Sequence, residues 1–230
     1  MADGATDPEV DRLRELDTCT VSDALDALGL DGVLDGITPR WEGARAAGRV
    51  VTMQLAEGPA PAGEPKVHLG VRAILSASPG DIIVVANAGR TGMGSWGGLL
   101  SVAARQRGLA GVVTDGACRD VDEARELRFP VFARASAART ARGRIHEAAC
   151  NEPVRIGSLT VHAGDLVLAD GTAVVVIAAG RAAAVLDQAE EIAARETAMA
   201  GEIQGGADLR DVLGIRYEGM LADATGGKGV

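Results

Sequence analysis

The chain has 230 residues, of which 47% are hydrophobic and 24% charged, a balance that suits one globular domain with a sizeable core. Its formal net charge of −9 and pI of about 4.9 provide no overall basic face for tracking phosphates. Aromatics are only 2%, which leaves the core to Ala, Val, Leu and Ile and argues against a stacking surface for single-stranded nucleic acid.

The N-terminus, MADGATDPEVDRLREL, is acidic and has no apolar signal-peptide core; residues 1–8 are expected to be flexible. No run approaches the length of a membrane span. Residues 9–16 predict a short helix. TVSDALDALG predicts a second, with Thr20 as N-cap, Asp23 three residues on and Gly29 as the stop. A strand is expected over 46–56, a Pro/Gly-rich loop over 57–66, and a helix over 67–77. SPGD then turns into a buried strand, IIVVAN, at 82–87.

AGRTGMGSWGG (88–98) is a Gly-rich loop, followed by a helix that Gly108 stops. AGVVTDG (110–116) predicts a strand and its exit turn, 119–128 a helix, and FPVFARA another strand. Strand–helix alternation from 82 to 134 points to parallel pairing. Short strands with Gly and Asp turns over 152–180 predict antiparallel β, and a long Ala/Glu-rich helix follows at 181–200. The tail, 222–230, is expected to fray. No internal repeat or second domain is visible.

Two segments carry chemistry. The Gly-rich loop ends where a helix begins, and the first N–H groups of a helix point outward and favour an anion. Gly97 and Gly98 lack a Cβ, so a small carboxylate could approach the backbone there. The same residues also suit a plain connecting turn, and no G-x-x-x-x-G-K-[ST] is present. The second segment is DGACRDVDE, where a buried strand hands over to a helix, the place where α/β sheets gather ligands. Asp120 and Glu123 are three apart and share a helix face. Such a pair suits a hard cation that keeps several waters, and Arg119 beside it offers a planar fork to a carboxylate or enolate. Acids that merely favour a helix N-terminus would give the same pattern.

Only Lys66 and Lys228 are lysines, one in the Pro/Gly-rich loop and one in the tail, which argues against a Schiff-base mechanism. Cys19, Cys118 and Cys150 show no C-x-x-C spacing, as expected for a reduced, cytoplasmic protein. Cys118 has no evident base and is expected to pack. His68, His146 and His162 lack zinc-ligand spacing. Asp115 and Gly116 are expected to form the turn presenting Arg119, and Trp96 either borders the site or packs.

Gly98, twenty residues, Arg119-Asp120, two residues and Glu123 resemble the G-x20-R-D-x2-[DE] pattern of RraA-like proteins. These share an active-site arrangement with 4-hydroxy-4-methyl-2-oxoglutarate/4-carboxy-4-hydroxy-2-oxoadipate aldolases. The stretches TCTVSDALDALG, SPGDIIVV, WGGLLSVAARQRGLAGVVTDGACRDVDEARELRFPVFAR and PVRIGSLTVHAGDLVLADG are similar to the family too, so the resemblance spans roughly 16–200.

It implies a layered α/β/β domain in homotrimers or hexamers, with sites between subunits. It implies Mg²⁺ or Mn²⁺ on Asp120, substrate on Arg119, and a pyruvate carboxylate on the amides after Gly98, those of Leu99 and Leu100. The better-characterised aldolases have Asp where this chain has Gly98; in the glycine type Glu123 stands in. An acid from the neighbouring subunit's C-terminal helix is expected near the metal waters, Glu196 first and Glu191 second. The implied activity is a lyase on a 2-oxo acid, by retro-aldol cleavage of 4-hydroxy-2-oxo acids or oxaloacetate decarboxylation through a pyruvate enolate. The implied partner is that small molecule, with neither nucleic acid nor membrane. The alternative is a non-catalytic regulator that binds a ribonuclease. Relatives are also labelled methyltransferases, but no Gly-rich S-adenosylmethionine signature follows the first strand.

Overall fold

The structure, a computed structural model, describes residues 7–61 and 67–214. Lys66, Lys228, residues 1–6 and the tail 222–230 lie outside the described residues. Helix α1 (Pro8–Arg14) begins at a proline and is capped by Asp7, whose carboxylate accepts from the amides of Glu9 and Val10. Asp7 and Pro8 therefore belong to a helix start rather than to the flexible stretch expected over 1–8. Helix α2 (Thr18–Ala27) is capped by Asp17, whose carboxylate accepts from the Thr20 amide and hydroxyl, each at 2.9 Å. This corrects the expected Thr20 cap: the helix starts three residues earlier, and Thr20 is the donor in its first turn.

After β1 (Thr38–Pro39) comes β2 (Ala46–Glu57), the longest strand, then the short helix α3 (Val71–Ser76). The βα alternation follows as β3 (Ile82–Ala86), β4 (Gly94–Trp96), α4 (Gly98–Gln106), β5 (Gly111–Cys118), α5 (Val121–Glu126) and β6 (Val131–Ser136). The chain continues through β7 (Ile145–Cys150), the hairpin β8 (Val154–Ile156) and β9 (Leu159–Val161), and the pair β10 (Leu166–Ala169) and β11 (Val174–Ile177). It finishes with α6 (Ala182–Gln204) and α7 (Leu209–Val212). Strands β4 and β7 have no counterpart in the sequence reading: one is three residues in a Gly-rich loop, the other a half-exposed edge.

The main sheet runs β1-β6-β5-β3-β2-β10-β11, with β4 added to β5 and β7 to β2. Strands β2, β3, β5 and β6 are parallel, as the alternation predicts, and β10–β11 is antiparallel. β2 belongs to both halves: residues 46–49 pair with β10 and residues 50–54 with β3. The sheet curls about this strand. Val50, Ile82, Val84, Val113 and Phe132 on the parallel half share a core with Val167, Ala169, Val174 and Val176 on the antiparallel half.

Alternate residues on the other face of the parallel half, such as Val51, Ile83 and Val112, pack with residues of α3, α4 and α5. The expected α/β/β layering is present. A further helical layer covers the antiparallel half: α1, α2 and α6 pack on Leu166, Leu168, Val175 and Ile177. In α6, Val185, Leu186, Ala189 and Ile192 form the apolar stripe that seats it.

Candidate active site

The C-terminal ends of β4 and β5 lie side by side, with Trp96 opposite Cys118. One leads into α4, the other into α5. This register brings the two segments singled out in the sequence together. The Arg119 amide donates to the Trp96 carbonyl at 3.0 Å, so the link is made by backbone.

Asp120 is the turning point. It adopts φ 58 and ψ 43, the left-handed region, as the residue preceding α5. An L-residue there costs about 1–2 kcal/mol, and Asp and Asn tolerate it best among residues with a side chain. The turn starts α5, and the carboxylate lies back over the N-terminus of α4, where Oδ2 accepts from the Gly98 amide at 2.9 Å. Oδ1 accepts from Arg119 Nε at 3.3 Å. Asp120 and Arg119 side chains are 31% and 38% exposed, reachable by a ligand and still held. Nη1 and Nη2 of Arg119 have no hydrogen-bond partner among the described residues.

The glycines of the loop make room for the protein's own side chains. A Cβ on Gly94 would come 2.9 Å from Arg119 Cγ, and one on Gly97 would come 3.0 Å from both Arg119 Cγ and Asp120 Oδ2. A Cβ on Gly98 would overlap Glu123 Oε2 outright and meet Asp120 Cβ at 3.2 Å. Gly98 thus marks the point on which Asp120 and Glu123 converge. The space left by these glycines is taken up by Arg119, Asp120 and Glu123, and Gly94 joins Gly97 and Gly98 in the cradle.

Helix α4 has no side-chain cap. With Gly98 N–H met by Asp120, the amides of Leu99 and Leu100 in the first turn face outward without intrahelical acceptors. The Leu100 side chain is buried in the core, whereas that of Leu99 is 85% exposed. Beside Arg119 and Asp120 lies an open cavity of about 330 Å³, completed by Val121, by Ser136 at the end of β6, and by Ala137 and Ala138 just past it. Segment 136–138 carried no signal in the sequence, because small residues after a strand look like any loop.

Asp115 and Gly116 are not the expected turn. They lie within β5, at an irregularity between Thr114 and Ala117, and the chain reverses only at Asp120. The Asp115 carboxylate is 2% exposed and accepts from the amides of Asn87 at 2.5 Å and Gly89 at 2.9 Å, which pins the start of the Gly-rich loop. Burial pushes its carboxyl above the usual range, against the pull of those two amides. Ser95 Oγ bonds Thr114 Oγ1 at 2.8 Å and the Ala117 carbonyl at 2.9 Å, pinning the loop again near its end.

Glu196 lies on α6, partly buried against α2, where burial and then the charges of Asp23 and Asp17 raise its carboxyl above the usual range. Glu191 pairs with Arg195 on the same helix at 3.6 Å. Neither joins Arg119, Asp120 and Glu123 within one chain. The Trp96 ring is buried, 2% exposed, and donates to Ser101 Oγ, so it packs. Cys118 is buried, and that burial pushes its thiol up. His68 and His146 meet nearby carbonyls through Nδ1, and His162 lies 3.8 Å from Asp165. No cluster of three or more His, Cys, Asp or Glu suited to a metal occurs among the described residues. Among them, too, no helix is long and apolar enough to cross a membrane.

A curled mixed α/β sheet places an arginine and two acids at the N-terminus of α4, beside the ends of β4 and β5. The family model for RraA-like proteins, described as Aldolase/RraA, matches residues 18–176, and the chain belongs to that family. It is 33% identical over 187 residues to a candidate 4-hydroxy-4-methyl-2-oxoglutarate aldolase of Halalkalibacterium halodurans, covering 79% of this chain and 82% of that protein. Its fold is similar to an uncharacterised protein from Pseudomonas syringae, with a TM-score of 0.81 and 31% identity over 89% of this chain and 96% of the other. It is also similar to RraAS2 of Streptomyces coelicolor, described as an unusual member of the RNase ES inhibitor RraA family. There the TM-score is 0.71 and the identity 26%, over 81% of this chain and 92% of the other.

Proposed function

We propose that the chain is a divalent-metal-dependent carbon–carbon lyase acting on a 2-oxo acid. The observation that carries this reading is the convergence of Asp120 and Glu123 on Gly98, with Arg119 alongside and two outward amides at the α4 N-terminus. The relative in H. halodurans supports the same class of reaction.

The donor set fits a hard cation. Asp120 would hold Mg²⁺ or Mn²⁺ directly and Glu123 through water; a pair of carboxylates suits an ion that keeps most of its waters. When bound, the cation would supply Lewis-acid polarisation of the 2-oxo group, an effect worth about several kcal/mol. The Leu99 and Leu100 amides would bind the substrate carboxylate, and Arg119 Nη1 and Nη2 would steady the oxygen on which negative charge develops.

In retro-aldol cleavage the C3–C4 bond breaks, its electron pair forms the pyruvate enolate, and the 4-hydroxyl proton leaves as C4 becomes a carbonyl. In oxaloacetate decarboxylation the same enolate forms with loss of CO₂. Protonation at C3 then gives pyruvate. Glu123, with Glu196 from a neighbouring copy, would relay the proton.

Assembly belongs to this reading. Leu99 and Val102 on α4 are 85% and 47% exposed, and Leu75 on α3 is 62% exposed. Apolar groups beside the site suit a subunit contact, so a homotrimer or hexamer is proposed, with a mass of three or six chains by light scattering.

The test is pyruvate release from 4-hydroxy-2-oxo acids and from oxaloacetate, with Mg²⁺ or Mn²⁺ and then with EDTA. Turnover that EDTA abolishes and metal restores is the expected result. The likeness to RraAS2 favours a second reading, regulation of a ribonuclease. Inhibition of such a nuclease with no metal-dependent turnover would put that reading first.

A further inference from the structure

The positive charge of this chain is concentrated at the end of the sheet that carries the site. Between Leu127 and His146 the sequence has five arginines, Arg128, Arg134, Arg139, Arg142 and Arg144, and no aspartate or glutamate, in a chain of net charge −9. All five are exposed, and none is in an ion pair among the described residues. Acids gather elsewhere. Helix α6 has Asp187, Glu190, Glu191, Glu196 and Glu202 against Arg195 alone, and it belongs to the helical layer on the antiparallel half.

Arg139, Arg142 and Arg144 share one segment, 137–144, which crosses the C-terminal ends of the parallel strands, where α/β sheets gather ligands. The Ala137 amide donates to the Cys118 carbonyl at the end of β5, at 2.9 Å. The Gly94 amide of β4 donates to the Arg139 carbonyl at 2.9 Å, and the Gly58 amide, one residue past β2, donates to the Arg144 carbonyl at 2.7 Å. Ala141 is buried in the core that also holds Trp96 and Leu100. The backbone of the segment is therefore fixed across β5, β4 and β2, while its three arginines remain exposed.

Arg119 and Arg90 lie at the same end, after β5 and β3, but each has an acid beside it: Asp120 at 3.3 Å and Glu57 at 3.9 Å. The arginines of the segment have none. Arg144 Nη1 donates to the Thr140 carbonyl at 3.2 Å, which holds that side chain without neutralising it. Like charges this close along the chain repel, so the fold gains nothing from them. What they supply is a local positive potential on an otherwise negative protein. Such a potential raises the concentration of anions at a cleft and speeds their arrival, and salt screens it. The gain grows with ligand charge, so a dianion is drawn more strongly than a monoanion.

We infer that Arg139, Arg142 and Arg144 form a collecting rim that draws multiply charged small anions to the site before they meet Arg119 and the α4 N-terminus. The identity of the anion rests on the lyase reading above. The rim acts on encounter and not on the bond that breaks, so it governs KM and leaves kcat alone.

The experiment measures kcat and KM for oxaloacetate, a dianion, with Mg²⁺ held constant. It compares wild type with Arg139→Gln/Arg142→Gln/Arg144→Gln and with Arg139→Lys/Arg142→Lys/Arg144→Lys. At an ionic strength of about 0.02 M the glutamine variant should raise KM roughly 5- to 10-fold with kcat unchanged, and at about 0.5 M its KM should equal that of wild type. The lysine variant should follow wild type, because it keeps the charge. An unchanged KM at low salt, a loss that persists at high salt, or a loss shared by the lysine variant would overturn the rim. So would a glutamine variant of lower mass by light scattering, since the arginines would then hold the acidic layer of another copy.

The rim and the lyase reading fail separately. If wild type turns over no 2-oxo acid, the lyase reading falls, and calorimetry with oxalate, a dianion, and pyruvate, a monoanion, decides the rim. The rim stands if the glutamine variant loses roughly 5- to 10-fold in oxalate affinity at low salt and only about 2- to 3-fold in pyruvate affinity. Equal losses, or no binding of either probe by wild type, overturn it.

Discussion

Glu123 Oε2 occupies the space that a side chain on residue 98 would need. The two positions are 25 residues apart in sequence, on different helices, and the Glu123 side chain as placed leaves no room for a Cβ on residue 98.

Gly98→Ala is expected to displace the end of a flexible glutamate rather than disrupt the fold. Stability should change by less than about 1 kcal/mol, because an exposed side chain can swing clear. Turnover should fall as far as in Glu123→Ala, and the double variant should lose little more than either single one. Additive losses in kcat/KM would show that the two substitutions act on different things.

Asp120→Asn keeps a residue type that tolerates the left-handed turn and keeps an oxygen for the Gly98 amide. The melting temperature should stay within a few degrees of wild type. Mg²⁺ uptake by calorimetry should be lost, and turnover should drop by about 100-fold or more. An Asp120→Asn protein as active as wild type would end the metal assignment.

Asp115→Ala should destabilise by roughly 2–4 kcal/mol in urea unfolding, because the Asn87 and Gly89 amides lose a buried charged acceptor. The loop these amides begin carries Gly97 and Gly98. Hydrogen exchange over 87–98 should therefore quicken more than exchange over α6. A uniform loss of protection would mean that Asp115 supports the core at large.

Asp23 on α2 has its carboxyl raised above the usual range, first by burial and then by Asp26 and Asp17; Glu196, facing it from α6, is raised as well. A carboxyl raised by folding leaves the native state holding more protons than the unfolded one. Stability then falls as pH rises from the unfolded pKa through the folded one, and the loss is complete above both. Asp23→Asn should therefore raise the melting temperature at pH 7. That gain should fade as pH drops below the ordinary carboxylate range. A gain that persists at pH 3 would point to a cause other than charge.

Much of this was legible along the chain, because the signals involved are local. Buried runs such as IIVVAN and AGVVTDG, the stops at Gly29 and Gly108, and the Ala/Glu-rich run of α6 each report a few neighbouring residues, and the structure has these elements in the expected order. The Arg119–Asp120–Glu123 cluster was visible for the same reason: it spans five residues at one strand-to-helix junction.

What the tertiary structure alone decided depends on contacts between distant segments. Only the curl of the sheet about β2 sets the parallel and antiparallel halves face to face around one core. Only the β4–β5 register places Gly98 under two acids and ties segment 136–139 beside them. Asp115 read as a turn residue because Asp-Gly usually makes turns. Burial against the Asn87 and Gly89 amides keeps it in a strand instead, since those donors would otherwise be left without partners. Local propensity marks where the chain bends and which face is apolar. Which side chains share a given space is settled by packing across the sheet, where sequence separation carries no information.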